Sequence, residues 1–181
     1  MWYCSFVQNE KALATLKKYS TNVDLLNHVR AVSACLGYFA GMAGEDETFW
    51  SEVGILHGLV YDIFYDKPNQ VVTDVLALEK LCKKQIHAIM AHGFGSLSDV
   101  EPNCYMEYTF IAVDQIAGFA VSTEGVRDLA TIKEMFANKD CAIGTARFTD
   151  MCKKMGKDPD WVLRESLNAV NSIANDLVFH T

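Results

Sequence analysis

The chain has 181 residues, half of them hydrophobic and 22% charged, which excludes a disordered chain and fits a globular protein with a buried core. The formal net charge of −7 argues against a basic face for duplex nucleic acid, although a pocket can still be locally basic. No apolar stretch is long enough for a membrane span, and the apolar start lacks the basic leader and cleavage site of a signal peptide. The sequence therefore predicts a cytoplasmic protein without a membrane partner.

Helical periodicity covers nearly all of the sequence. In chain order, the predicted helices span 9–18, 23–40, a segment after Asp46, 71–78, 81–91, 104–121, 127–137, 145–154 and 160–177. Ser20 or Thr21 can cap the second helix, the segment 41–44 ends it, Asp46 can cap the third helix, and Pro159 suits the first turn of the last helix. No alternating run is long enough to predict a strand. One all-α domain over residues 1–181 is the simplest interpretation.

The six cysteines do not support a metal-ribbon or thioredoxin motif, because no two form a C-x-x-C pair. Cys35 and Cys82 fall inside apolar helical patterns, where a cysteine usually acts as a small hydrophobic residue. We therefore expect reduced thiols, as is usual in the cytoplasm.

Three ionisable residues occupy positions on apolar helix faces. His28 follows Leu25 by three residues, and His57 follows Val53 by four. Asp114 stands in the middle of an otherwise apolar helix. A buried carboxylate is costly unless it is paired, hydrogen-bonded or bound to a metal. Each residue alone can be a satisfied core residue, but two imidazoles and a carboxylate on three helices together favour a divalent transition metal.

These residues also carry a resemblance to a known family. The matching segments read LLNHVRAV at 25–32, GILHGLVYD at 54–62, IHAIMAHG at 86–93 and AVDQIAG at 112–118. In order and spacing they resemble the small stand-alone bacterial members of the HD-domain metal-dependent phosphohydrolases. The resemblance implies an all-α bundle of the HD-domain type, with His28, His57 and Asp114 as metal ligands. It also implies that His92 or His87 holds a second metal or a phosphate.

The sequence departs from the family pattern at Gly58, where the family has the aspartate of its His-Asp dipeptide. Without that ligand, a two-metal centre of the family type is not expected. Two histidines and one carboxylate still suffice for a zinc-type or iron-type site, and manganese and nickel stay open. Asp62, four residues on, is either a catalytic base or replacement ligand, or a residue that caps the following turn.

Two functions from different classes follow. The first is a metal-dependent hydrolase of a small phosphorylated metabolite or nucleotide, in which a lysine or arginine holds the phosphate. The second is a catalytically inactive HD-like protein whose pocket binds a ligand or is structural. Gly58 favours the second function, whereas the retained His28, His57, His92 and Asp114 favour the first. The possible phosphate-binding cations are Lys83, Lys84, Arg127, Lys133 and Arg147.

Two further features, the histidines of the 86–93 segment and the aromatic residues near the start, each have more than one interpretation. His92 can be a site residue or a helix-end histidine that the helix dipole favours, and His87 is more typical of a surface position. The aromatic residues Trp2, Tyr3 and Phe6 serve either in core packing or in a contact between copies of the chain, which leaves a homo-oligomer open.

Overall fold

The computed structural model describes residues 10–63, 69–122, 125–138 and 142–179. Within these ranges the chain is all-α, as predicted, apart from one short β-hairpin. The helices are α1 Glu10–Lys17, α2 Val23–Ala43, α3 Glu47–Leu56, α4 Gly58–Ile63, α5 Asn69–Leu78, α6 Lys83–His92, α7 Tyr105–Ala120, α8 Leu129–Ala137, α9 Ala142–Met155 and α10 Pro159–Ser172, and a 3₁₀ turn follows at Ala174–Asp176. The aromatic residues near the start lie outside the described residues, as do residues 64–68.

The helix ends follow local capping chemistry. Asn22, not Ser20 or Thr21, caps α2, because its side-chain oxygen accepts hydrogen bonds from the backbone N–H groups of Asp24 and Leu25. This helix runs three residues past its predicted end, and it stops where Gly44 adopts the left-handed conformation (φ 72°).

Two other predicted helix starts are confirmed. Asp46 accepts a hydrogen bond from Phe49 N–H at the start of α3, and Pro159 opens α10.

Two elements differ from the sequence-based expectation. Strands β1 Val121–Ser122 and β2 Gly125–Val126 pair antiparallel, and each is too short to show an alternating pattern. The last predicted helix, 160–177, is instead α10 followed by the 3₁₀ turn.

The cysteine predictions are confirmed at one position and wrong at another. Cys35 is fully buried in the core, as expected. Cys82 is exposed, because it occupies the N-terminal capping position of α6 instead of an interior helical position. The four cysteines whose state the structure describes are free thiols, and Cys4 and Cys141 lie outside the described residues.

Helices α2 and α7 form the centre of the core. Val29, Val32, Leu36 and Phe39 of α2 are buried to 0–1% exposure, and α7 contributes an equally buried Phe110. Burial of these apolar side chains is the main stabilising contribution to the fold. Among the described helices, none has both the length and the apolar character needed to cross a bilayer.

The crossing of α2 and α3 depends on a glycine. A Cβ at Gly54 would lie 2.7 Å from the Cα of Ser33 and 2.8 Å from its backbone nitrogen. Because backbone atoms cannot move aside as a side chain can, only glycine permits this close approach. The approach brings the C-terminal end of α3, where His57 stands, against the middle of α2.

Candidate metal centre

The structure brings together the three residues that the sequence predicts as metal ligands. His28 projects from α2, His57 forms the C-terminal cap of α3, and Asp114 lies in the middle of α7. Their ligand atoms all lie within 4.8 Å of one another, so this group could hold a metal ion. His28 and Asp114, which are 86 positions apart in sequence, are in direct contact.

The spacing of the three atoms suits a small divalent ion. His28 Nε2 lies 3.0 Å from Asp114 Oδ1, His57 Nε2 lies 3.3 Å from the same oxygen, and the two Nε2 atoms are 3.4 Å apart. Ligands about 2.0–2.1 Å from a tetrahedral ion lie about 3.3–3.4 Å from one another. The triangle therefore needs to expand only slightly to accept zinc or an ion of similar size.

The backbone sets the tautomer of His57. Its Nδ1–H donates a 2.7 Å hydrogen bond to the carbonyl oxygen of Gly54, which can only accept. In the neutral ring the lone pair is therefore on Nε2, the atom that faces His28 and Asp114. Burial lowers the pKa of His57 to about 4, although Asp114 opposes that shift. The ring is thus neutral at pH 7, as a metal-ligating histidine must be.

Asp114 and His28 have coupled charges. Burial alone would raise the pKa of Asp114, but the nearby His92 and His28 charges and the hydrogen bonds from His28 and His57 hold it well below the ordinary value. Burial would likewise lower the pKa of His28, but the Asp114 carboxylate outweighs it and raises that pKa. The carboxylate is therefore ionised, and the raised pKa of His28 favours a proton on that ring as a counter-charge.

His92 contacts the other face of the same carboxylate. Its Nε2 lies 3.0 Å from Asp114 Oδ2, and its side chain is 6% exposed. The ring stacks on Phe110 at 4.5 Å between centroids, and His57 meets the same phenyl ring edge-on at 5.2 Å. Because His92 binds the oxygen that the triangle does not use, it positions the carboxylate. Its predicted role as a metal ligand stays a prediction.

Position 58 does not face this cluster. A Cβ built on Gly58 would lie 2.8 Å from Val29 Cγ1 and 3.3 Å from Leu16 Cδ2, both in the apolar core. An aspartate there would start toward apolar side chains instead of toward the histidines. The apolar packing around position 58 therefore fits glycine and does not fit a carboxylate.

A cleft gives access to the cluster from one side. Its volume is about 450 Å³, and its walls include His28, Asp24, Gly118 and Arg127. The side chains of His28 and Asp114 are 26% and 17% exposed, whereas that of His57 is 1% exposed. A small ligand in the cleft can therefore reach His28, and Asp114 keeps some solvent exposure, while His57 closes the buried side of the cluster.

The predicted cations separate into different environments. Arg127 lines the cleft beside His28, and its Nη1 donates to the carbonyl oxygen of Phe119 at 2.7 Å.

The other predicted cations do not line this cleft. Arg147 donates to the carbonyl oxygen of His92, and Lys133 pairs with Asp160, so both have structural partners. The fourth, Lys84, lines a separate cavity. Lys83 opens α6 and lines neither of these two cavities.

Two further sequence predictions have different outcomes. Asp62 belongs to α4, but its side chain lies outside the described part of the structure, so its catalytic role stays a prediction. His87, expected at the surface, is 38% exposed and pairs with Glu107, away from the cluster.

Two contributors to the centre were not predicted from sequence. The carbonyl oxygen of Gly54 orients His57, and Phe110 packs against two of the histidine rings. Phe110 precedes Asp114 by one helical turn, which places both on one face of α7 and is a usable signal. A backbone carbonyl leaves no such signal in the sequence.

Comparison with known proteins gives no relative for this chain. No protein-family model matches it, and neither a curated protein nor a solved structure is similar enough to count as a match. The chain is therefore characterised by what its own residues form: an all-α fold with a His28–His57–Asp114 group that could hold a metal ion.

Proposed function

We propose that this protein is a metal-dependent hydrolase of a small phosphorylated metabolite, built on an HD-type helical scaffold. The observation that carries the proposal is the triangle of His28 Nε2, His57 Nε2 and Asp114 Oδ1, with edges of 3.0–3.4 Å and one side open to a cleft. Three protein ligands with an open position are typical of catalytic metal centres. A divalent ion supplies a Lewis acid that activates water and offsets phosphate charge.

The protein's own residues would hold and orient the two reactants. His57, His28 and Asp114 hold the ion, and His92 keeps the carboxylate in place through Oδ2. Arg127 stands on the wall of the cleft that reaches His28, where its guanidinium can bind a phosphate through the N–H groups that Phe119 does not engage. The buried imidazole of His57 and the ring of Phe110 keep water from the inner side of the centre.

A second candidate, a protein without catalytic activity, is favoured by a specific observation. Both oxygens of Asp114 already lie 3.0 Å from a histidine nitrogen, Oδ1 from His28 and Oδ2 from His92. Hydrogen bonds can therefore satisfy the buried carboxylate with no ion present. In that case the cluster stabilises the junction of α2, α3, α6 and α7.

One experiment separates the two candidates. The protein is stripped with a chelator and reloaded separately with zinc, manganese, iron or nickel. Phosphate release is then measured from p-nitrophenyl phosphate and from nucleoside monophosphates. The hydrolase proposal predicts release that depends on one of these metals and disappears in Asp114→Asn. The matched control, Asp176→Asn, changes an exposed carboxylate outside the cluster and should retain the activity. A folded parent protein that releases no phosphate with any of the four metals would support the inactive candidate.

A further inference from the structure

A second histidine–carboxylate pair lies away from the candidate metal centre. His87 Nδ1 is 2.6 Å from Glu107 Oε1, and the backbone N–H of Asn103 donates to Glu107 Oε2 at 2.7 Å. Glu107 is 3% exposed, whereas the side chain of His87 is 38% exposed. The buried carboxylate therefore anchors a ring whose other side is accessible.

The anchoring fixes what His87 presents to a ligand. Because the ionised carboxylate can only accept, Nδ1 of His87 carries the proton of that hydrogen bond. In the neutral ring, Nε2 is then an acceptor, and the carboxylate behind the ring makes it a stronger one. The side-chain nitrogen of Asn103 lies 3.4 Å from this Nε2, a distance longer than a good hydrogen bond. A better donor from a ligand can therefore take its place.

This pair stands on the wall of a cavity of about 540 Å³. The cavity lies between the start of α3, one face of α6 and the start of α7, and it shares no lining residue with the cleft beside His28. Its aromatic wall consists of Phe49, Trp50 and Tyr105, with the last two rings 6.1 Å apart. A cavity of this size with an apolar wall and a few convergent polar groups is typical of small-molecule sites.

The charges around the cavity favour a cation. Three carboxylates line it, those of Glu45, Asp46 and Glu107, against the single ammonium of Lys84. The lining is therefore negative by two charges when His87 is neutral, and by one when it is protonated. An anionic ligand would be repelled, whereas an ammonium group is attracted both by the carboxylates and by the faces of aromatic rings.

We propose that this cavity is a binding site for a small organic cation, a primary amine that carries an aromatic or apolar body. The ammonium N–H groups donate to His87 Nε2 and to the acidic rim, and the apolar body packs against the aromatic wall. The proposal does not depend on the hydrolase function, because the cavity and the metal cluster have no residue in common.

The test uses two probes of similar size and opposite charge, 2-phenylethylammonium and 3-phenylpropionate. Each is titrated calorimetrically into the full chain at pH 7.5 with a chelator present, so that no metal can coordinate the amine. We expect the ammonium to bind at least about tenfold more tightly than the carboxylate. Equal or tighter binding of the carboxylate, or no binding of the ammonium up to about 10 mM, would overturn the proposal.

Variants of two lining residues test whether the ammonium binds in this cavity. Glu107→Gln should weaken binding of the ammonium about tenfold or more, because the pair with His87 loses its charge. Glu45→Gln changes only an exposed residue on the cavity rim, so this variant should fold even if Glu107→Gln does not. We expect its affinity for the ammonium to fall about threefold or more. Glu134→Gln on the exposed face of α8 is the matched control and should bind as the parent does. An unchanged affinity in Glu45→Gln would count against the site.

Discussion

The Nδ1 of His57 donates a 2.7 Å hydrogen bond to the backbone carbonyl oxygen of Gly54. The same glycine lacks the Cβ that would collide with Ser33, so one residue both permits the close crossing of α2 and α3 and orients the imidazole. As a result, the Nε2 lone pair of a fully buried ring faces the carboxylate of Asp114. Two acceptor atoms at 3.3 Å are stable together only with a proton or a cation between or beside them.

Replacing the carboxylate by its neutral isostere should remove most of the affinity for a metal. In Asp114→Asn the shape is kept, but the negative charge on Oδ1, the oxygen that His28 and His57 both contact, is lost. We expect zinc affinity to fall by at least about 100-fold, because loss of outer-shell partners alone costs 10- to 100-fold. Calorimetric titration with zinc measures this, with Asp176→Asn as control. Equal affinities in the two variants would show that zinc binds elsewhere.

Metal affinity should increase with pH. The pKa of His28 is raised above its ordinary value of 6.5 by the Asp114 charge that outweighs burial, so below that pKa an entering ion must displace a proton. His57, with a pKa of about 4, holds no proton to displace near neutrality. Release of one proton means an affinity about tenfold higher per pH unit between pH 6 and the pKa of His28.

The same pKa shift has a consequence for the metal-free protein. Because the pKa of His28 is raised, its contribution to the free energy of unfolding is present below pH 6.5 and is lost as the pH rises through the folded-state value.

The pH dependence of metal affinity is measured by zinc titrations in buffers of different ionisation enthalpy, which count the protons released. An affinity that stays constant from pH 6 to 8 would contradict a role for His28 as a ligand.

Introducing an aspartate at position 58 should damage the protein instead of completing the candidate centre. In Gly58→Asp the new Cβ lies 2.8 Å from Val29 Cγ1, and the charge begins among apolar side chains. We expect a loss of about 2–4 kcal/mol in the free energy of unfolding and no gain in metal affinity. Urea denaturation checks the first expectation, and Gly58→Ala separates the steric cost from the charge. A stable Gly58→Asp protein with tighter metal binding would mean that position 58 reaches the centre after all.

Removing the guanidinium from the cleft should weaken substrate binding more than it slows the reaction. Arg127 lines the cleft beside His28 and is not one of the three candidate ligands, so Arg127→Gln should raise KM about tenfold and leave kcat within about threefold. Arg127→Lys should lie between the two, since lysine keeps the charge without the bidentate geometry. Arg164→Gln, on the exposed surface of α10, serves as control. A KM equal to that of the control would exclude Arg127 from phosphate binding.

Much of the fold could be predicted from local patterns. Helix faces follow from apolar spacing, and Asp46 and Pro159 mark helix starts by chemistry that acts within a few residues. The group of His28, His57 and Asp114 could be predicted as candidate ligands because a polar residue on an apolar stripe is conspicuous in sequence. Each of these signals is contained in one or two helical turns.

The remaining features depend on how distant segments pack. A side chain at position 58 would meet Val29 and Leu16, which belong to two other helices. Arg127 reaches the cleft only because the two-residue strands turn the chain back after α7. The pair of His87 with Glu107 likewise joins α6 to α7. None of these contacts produces a periodic pattern in the sequence, since each joins residues far apart in the chain.

The most direct test of the candidate metal centre is the metal content of the purified protein. After growth in metal-rich medium, or after reloading, elemental analysis should find about one divalent ion per chain in the parent and in the Asp176→Asn control. His57→Asn and Asp114→Asn should contain almost none while remaining folded. A parent protein that takes up no ion on reloading, and whose melting temperature is the same with and without chelator, would contradict the account.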